Sequence, residues 1–249
     1  MTYIKNLVVK SVPILFSLLF ILASSQASST SFVSDSLRKR IVDEKNDSIK
    51  LSLYDALFSP LRISNPKQAL VIAKRHYYIA KSIENQSGIA NAAANIGLAN
   101  YSLGNYEEAL ENALIALKIS ESINDRAGIA DALSNIGAVY SIQKQVALAI
   151  KYYQGALAIR LSLGDKKALA ASYNSMGNAY QEMNNDSLAL ENYKQSYAIR
   201  NEMQDKIGTA QSLNNMAIVY SAQGNFNKAL DLLFQSLAIK QELNDLNGM

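Results

Sequence analysis

The chain matches itself when shifted by forty residues. Gly97, Gly137 and Gly177 keep that step, and Ala217 takes the next place. Tyr140, Tyr180 and Tyr220 keep it too. So do Ala69, Ala109, Ala149, Ala189 and Ala229, each followed by Leu or Ile. Asp125, Asp165, Asp205 and Asp245 form a further ladder. A constant stride of this length is the mark of stacked structural units, each burying its apolar face on its neighbours.

Each unit reads as two helices. First helices are expected near 88–103, 126–143, 166–183 and 206–223, and second helices near 106–122, 146–162, 186–202 and 226–242. Apolar residues recur at helical spacing, as in Leu133, Ile136, Gly137 and Tyr140, then Ala149, Tyr153, Ala156 and Leu157. Beyond Pro66 the chain has no proline, so the strongest helix breaker is missing from the array. Gly104-Asn105, Asn184-Asn185 and Gly224-Asn225 suit the left-handed residue that ends a helix, whereas Lys144-Gln145 lacks such a residue. The aspartate ladder precedes each first helix, where a carboxylate caps free N–H groups.

The array begins near Asp47 in degraded form. Ile49, Leu53, Ala56 and Leu57 mark a short first helix that ends near Pro60. Asn65-Pro66 reads as N-cap and first helical residue of its partner, which runs to about Glu84. Residues 28–46 are a polar linker, with Phe32, Leu37 and Ile41 able to cap the first repeat. Residues 1–27 resemble a secretory leader: Lys5 and Lys10, the apolar run Ser11 to Ala23, then small residues. That run is shorter than the roughly 20 residues of a spanning helix. Export to the periplasmic or extracellular side is expected, with a retained anchor as the alternative.

Composition narrows the chemistry. There are no cysteines and one histidine, which excludes disulfides, thiolate sites and multi-histidine metal centres. The formal charge is +3, and +1 without the two leader lysines, too near neutrality for a nucleic-acid groove. No phosphate-binding glycine loop or nucleophile–base pair is evident. No catalytic residue, metal or cofactor is therefore expected within 47–249.

These blocks resemble the tetratricopeptide repeat. Leu133, Ile136-Gly137, Tyr140, Ala149, Tyr153 and Ala156 fill the places of that pattern, and Tyr173, Met176-Gly177, Tyr180, Ala189, Tyr193 and Ser196 fill them one block later. About four and a half repeats span 47–249. The forty-residue period exceeds the family's 34, and Asp replaces the terminal Pro. Both departures are similar to longer-repeat arrays such as those of kinesin light chains and peptide-pheromone receptors. The resemblance implies an all-α fold: a right-handed α-solenoid of antiparallel helix pairs.

In such a solenoid the first helices line the concave face. Opposite the Gly137/Tyr140 face lie Asp131 and Asn135; the same places in the other blocks give Asn91, Asn95, Asn174, Asn178, Gln211, Asn214 and Asn215. Amides offer donors and an acceptor, so a ladder of them can hold the main chain of an extended peptide without demanding a sequence. The alternative is that Asn135 and its equivalents bridge neighbouring repeats. None of these positions carries Lys or Arg, which argues against a clamp for C-terminal carboxylates.

Other features have structural readings beside functional ones. Arg160, Arg200 and Lys240, with Lys118 nearby, form a basic ladder; they suit acidic partners, or the negative end of each second helix. Glu107 and Glu108 suit the opposite end of the same helix type. His76 stands where later blocks have Ala116, Ala156, Ser196 and Ser236; a ligand role competes with looser packing of the first repeat. Asn46, Asn85 and Asn185 begin glycosylation sequons.

The sequence ends where a next first helix is expected after Asp245, leaving Leu230, Leu233, Phe234 and Leu237 uncovered. The array is expected to continue beyond residue 249 or to be covered there by a partner. The functional expectation is an exported scaffold that binds protein or peptide. One alternative is the input region of a longer membrane signalling protein such as a two-component sensor kinase. Another is a self-associating structural module. A membrane is expected to matter only through the leader or a downstream segment.

Overall fold

A computed structural model describes residues 35–247, with side chains described through residue 243. The leader, Phe32, Gly248 and Met249 lie outside the described residues. A short helix at 35–43 is followed by ten long ones: α1 Asp47–Ser64, α2 Pro66–Ser82, α3 Gln86–Leu103, α4 Tyr106–Ser122, α5 Arg126–Ile142, α6 Val146–Leu163, α7 Lys166–Glu182, α8 Asp186–Glu202, α9 Lys206–Ala222 and α10 Phe226–Asn247. Each helix packs on the next in sequence. The first helices also touch one another (α1–α3, α3–α5, α5–α7), whereas no comparable contact joins successive second helices among the described residues. The first helices therefore form the inner, tighter face of an α-solenoid, and the second helices the outer one.

The stride has a local cause. Residues with positive φ fall every twenty positions: Glu84, Gly104, Asn124, Lys144, Gly164, Asn184, Gln204 and Gly224. At seven of these turns the next N–H bonds back to a carbonyl five residues earlier, as in Gln145 to Tyr140 at 2.9 Å. Such a bond closes the helix and reverses the chain. Lys144, without glycine's freedom, adopts the same turn at φ 62°. The following residue is the N-cap of the next helix. Asp125, Asp165 and Asp205 accept from Gly128, Ala168 and Gly208 N–H at 2.9–3.0 Å, and Asn85 and Asn185 cap in the same way. Asp245 does not continue this ladder. The last helix runs on to Asn247, so Asp245 sits inside it.

Close approach within a repeat depends on the small-residue ladder. A Cβ added at Gly177 would lie 2.5 Å from Tyr193 Cε1, and one at Gly137 would lie 2.7 Å from Tyr153 Cε1. The aromatic of the second helix thus packs directly against the glycine of the first. In the next repeat the matching residues are Ala217 and Leu233, so the alanine methyl appears where no tyrosine stands at the matching place.

The N-terminal repeat departs from the expected boundary. Helix α1 does not stop near Pro60 but continues to Ser64. Proline forfeits one helical hydrogen bond at Ala56. Burial on both sides of it, through Leu57, Phe58 and Leu61, holds the helix together. Its inward face is Leu51, Leu53, Tyr54, Leu57, Phe58 and Leu61; Ile49 and Ala56 are exposed. Ile41 is buried and Leu37 half-buried against this cluster, so the 35–43 helix covers the end of the array. At the other end Phe226, Leu230, Leu233, Phe234 and Leu237 of α10 are exposed. No described helix is long and apolar enough to cross a membrane.

Candidate functional site

Helices α1, α3 and α5 run side by side on the inner face. Their polar residues open into a groove cavity of ≈ 470 Å³. Asn91, Asn95, Asp131 and Asn135 all line it, so the structure brings together four of the nine residues expected from the sequence. Helix geometry explains the set: positions 91 and 95, like 131 and 135, are one turn apart and share a face. Ala90, Ala94 and Ala116 form a floor of small side chains.

The amides divide into two kinds. Asn95 Nδ2 donates to Asp55 Oδ1 at 2.9 Å, and Asn215 Nδ2 donates to Asn174 Oδ1 at 2.9 Å. These two span adjacent repeats and are engaged within the chain. Asn178 Oδ1 accepts from the Tyr193 hydroxyl at 2.7 Å, and Gln211 Oε1 accepts from Arg200 at 3.3 Å. Asn214 lines a separate hollow with Ile218, Leu233, Leu237 and Lys240. Asn91 and Asn135, by contrast, enter no side-chain hydrogen bond among the described residues while facing the cavity. Both have donors and an acceptor to offer an incoming chain.

Charged groups missing from the sequence-derived set also line this cavity: Asp55, Arg62 and Arg160. Arg160 stands in the last turn of a second helix, where the basic ladder puts it, and its side chain reaches into the groove. Its guanidinium donates to Asp131 Oδ1 at 2.6 Å and to Ser172 Oγ at 2.5 Å, tying α6 to α5 and α7. The residue is 8% exposed, and its Nε has no partner. Arg200, one block on, donates to Gly208 O at 2.8 Å. Burial lowers its pKa, partly opposed by Asp205. The second-helix ladder reads Ala80, Ser120, Arg160, Arg200 and Lys240, and its first three members are buried in the structure.

His76 is not loosely packed. It is 1% exposed, stacked on Tyr54 with ring centroids 6.3 Å apart. Its Nδ1 lies 3.1 Å from Asp55 Oδ1, close enough for attraction but misaligned for a hydrogen bond. Asp55 therefore joins α2 and α3 behind the groove wall. Elsewhere, burial drives the Tyr153 and Tyr193 phenols well above their ordinary pKa.

Comparison with known proteins agrees with this architecture. Two family models, both described as tetratricopeptide repeat, match residues 128–202 and 209–246. No curated protein matches the sequence. Among solved structures, BtubC (BKLC) from P. vanneervenii superposes with a TM-score of 0.68 at 19% identity, over 89% of this chain and 92% of that one. A Rap protein complexed with Competence and Sporulation Factor gives 0.69 at 17% identity, over 88% and 67%. The signal transduction ATPase with numerous domains and a tetratricopeptide repeat sensor, from Pyrococcus horikoshii, gives 0.65 at 20% identity, over 88% and 34%. At these identities the likeness is one of fold.

Proposed function

We propose, starting from a chain that is a tetratricopeptide repeat protein, that it is an exported scaffold whose concave groove binds an extended peptide or protein segment. The observation that carries this reading is the pair Asn91 and Asn135. They stand on adjacent first helices, open into one cavity, and have no partner of their own among the described residues. Bidentate amide contacts to a peptide backbone give affinity that tolerates many sequences. Asp55, Asp131, Arg62 and Arg160 add both signs of charge along the same wall and select among side chains. Export rests on Lys5, Lys10 and the apolar run from Ser11 to Ala23.

A displayed library of random 8–12-residue peptides, screened against residues 35–249, tests the groove. Each lost amide contact is worth about 1 kcal/mol, so Asn91→Ala with Asn135→Ala weakens selected peptides by about tenfold or more. The thermal midpoint does not fall, since neither side chain makes a hydrogen bond within the fold and alanine is the better helix former. Undiminished binding by this double variant would rule the groove out.

A second reading is the input region of a longer signalling protein. It is favoured by the Pyrococcus ATPase, where an array of this shape is named a sensor and corresponds to 34% of the chain. The downstream reading frame distinguishes the two: a membrane helix and catalytic domain after codon 249 support it, and a stop codon there removes it.

A further inference from the structure

The outer side of the array holds a second cavity, unrelated to the groove. It lies between α2, α3 and α4, with a volume of ≈ 500 Å³. One of its lining positions, residue 100, breaks the repeat. Position 140 and its equivalents 180 and 220 are tyrosine, but the same place in the first full repeat is Asn100. In the next repeat Tyr140 stacks on Tyr152 with centroids 5.4 Å apart and an interplanar angle of 17°. The residue matching Tyr152 one block earlier is Asn112. Two aromatic rings that fill one repeat are thus both replaced by short amides in its neighbour. Asn100 and Asn112 line the cavity, with Tyr77 and Ile96 as apolar walls.

The two amides differ in how far the chain satisfies them. Asn100 is only 6% exposed and fully engaged: its Nδ2 donates to Ile96 O and its Oδ1 accepts from Asn105 Nδ2. Asn112 donates through Nδ2 to Glu108 O at 2.8 Å, and its Oδ1 accepts nothing among the described residues. That oxygen is left free to accept a hydrogen bond from a ligand. Lys74 and Glu108 also line it, one of each charge, and make no ion pair among the described residues.

We propose that this cavity binds a tyrosine-like phenol, with the ring lying where the Tyr140–Tyr152 pair lies in the next repeat. The hydroxyl donates to Asn112 Oδ1 and the ring packs on Tyr77 and Ile96. The phenol belongs either to a free amino acid, whose two charges meet Lys74 and Glu108, or to a residue within a peptide. Such a site is distinct from the groove, and ligands at the two do not compete.

Ligand-observed NMR on the full chain tests this with three probes: L-tyrosine, N-acetyl-L-tyrosinamide and L-leucine. Ring protons of at least one tyrosine probe are saturated by the protein, and leucine is not. Binding of L-tyrosine alone assigns a free zwitterion; equal binding of both tyrosine probes assigns a residue in a chain. Asn100→Tyr fills the cavity and reduces binding at least tenfold. It also raises the urea midpoint, because Asn185 and Asn225 cap their helices directly after Tyr180 and Tyr220 in this same turn. Asn112→Tyr, which copies Tyr152, serves as a second occluding variant should the first fold poorly. Failure of both tyrosine probes to bind, equal binding of leucine, or full binding by a folded occluded variant overturns the proposal.

Discussion

Replacing Gly177 by alanine sets two effects of known size against each other. Alanine in place of glycine inside a helix stabilises by about 1 kcal/mol through the unfolded chain. The new methyl, however, would sit 2.5 and 2.6 Å from Tyr193 Cε1 and Cδ1. Tyr193 is 0% exposed, and its hydroxyl is held by Asn178 and Gln181 at 2.7 and 2.8 Å. The ring cannot swing aside, so the clash falls toward the upper end of the roughly 1–3 kcal/mol range for overpacked cores. The net expectation is a loss of about 1–2 kcal/mol. Gly155→Ala is the control: its added Cβ meets only Leu133 Cδ1, at an ordinary 3.4 Å, so it gains about 0.5–1 kcal/mol. Urea titration followed by far-UV circular dichroism reads both as midpoint shifts of opposite sign. If Gly177→Ala shifts the midpoint upward, as Gly155→Ala does, the account of how helix pairs approach is wrong.

Three further outcomes follow from local geometry. Gln204→Gly relieves a non-glycine left-handed turn (φ 56°) and raises the thermal midpoint by an amount equivalent to about 0.5–1 kcal/mol, while Gly164→Ala, at φ 70°, lowers it by about 1 kcal/mol. Asp125→Ala removes the cap on Gly128 N–H and costs about 1 kcal/mol in chemical denaturation, with Asp125→Asn nearly neutral. Stability also declines above pH 10. Burial, with smaller contributions from Tyr101 and Glu182, holds the Tyr153 phenol protonated in the folded state beyond the ordinary value of 10.0, so the unfolded chain alone ionises there. Midpoints at pH 8 and pH 11 show a smaller drop for Tyr153→Phe than for the parent; equal drops would refute the assignment.

Much of the architecture was legible because the stride is written in residues that have local jobs. Glycine at 97, 137 and 177 answers to the aromatic or small residue opposite, and Asp125, Asp165 and Asp205 answer to free N–H groups. The finer twenty-residue step was legible too, since Asn85, Asn105, Asp125, Asp165, Asn185, Asp205 and Asn225 all fall on it. Lys144 and Gln145 escape the composition rule because the closing backbone bond, not the side chain, fixes that turn. Pro60 misled because burial of Leu57, Phe58 and Leu61 outweighs one forfeited hydrogen bond. The groove was legible as a face but not as a set of partners. Whether an amide bridges two repeats, as Asn95 and Asn215 do, or stays open, as Asn91 and Asn135 do, depends on what stands across from it forty residues away. Arg160 was hidden for the same reason: a long side chain's destination is set by Asp131 and Ser172 on neighbouring helices.

The most direct test of the inner face as a recognition surface is site-specific photo-crosslinking. A photoreactive amino acid replaces Asn91 on the first-helix face in one variant and Glu111 on the exposed second-helix face in another. Each is irradiated with a peptide selected from the library. The account predicts adducts from position 91 and not from 111. Adducts from 111 alone, or equally from both, would contradict it.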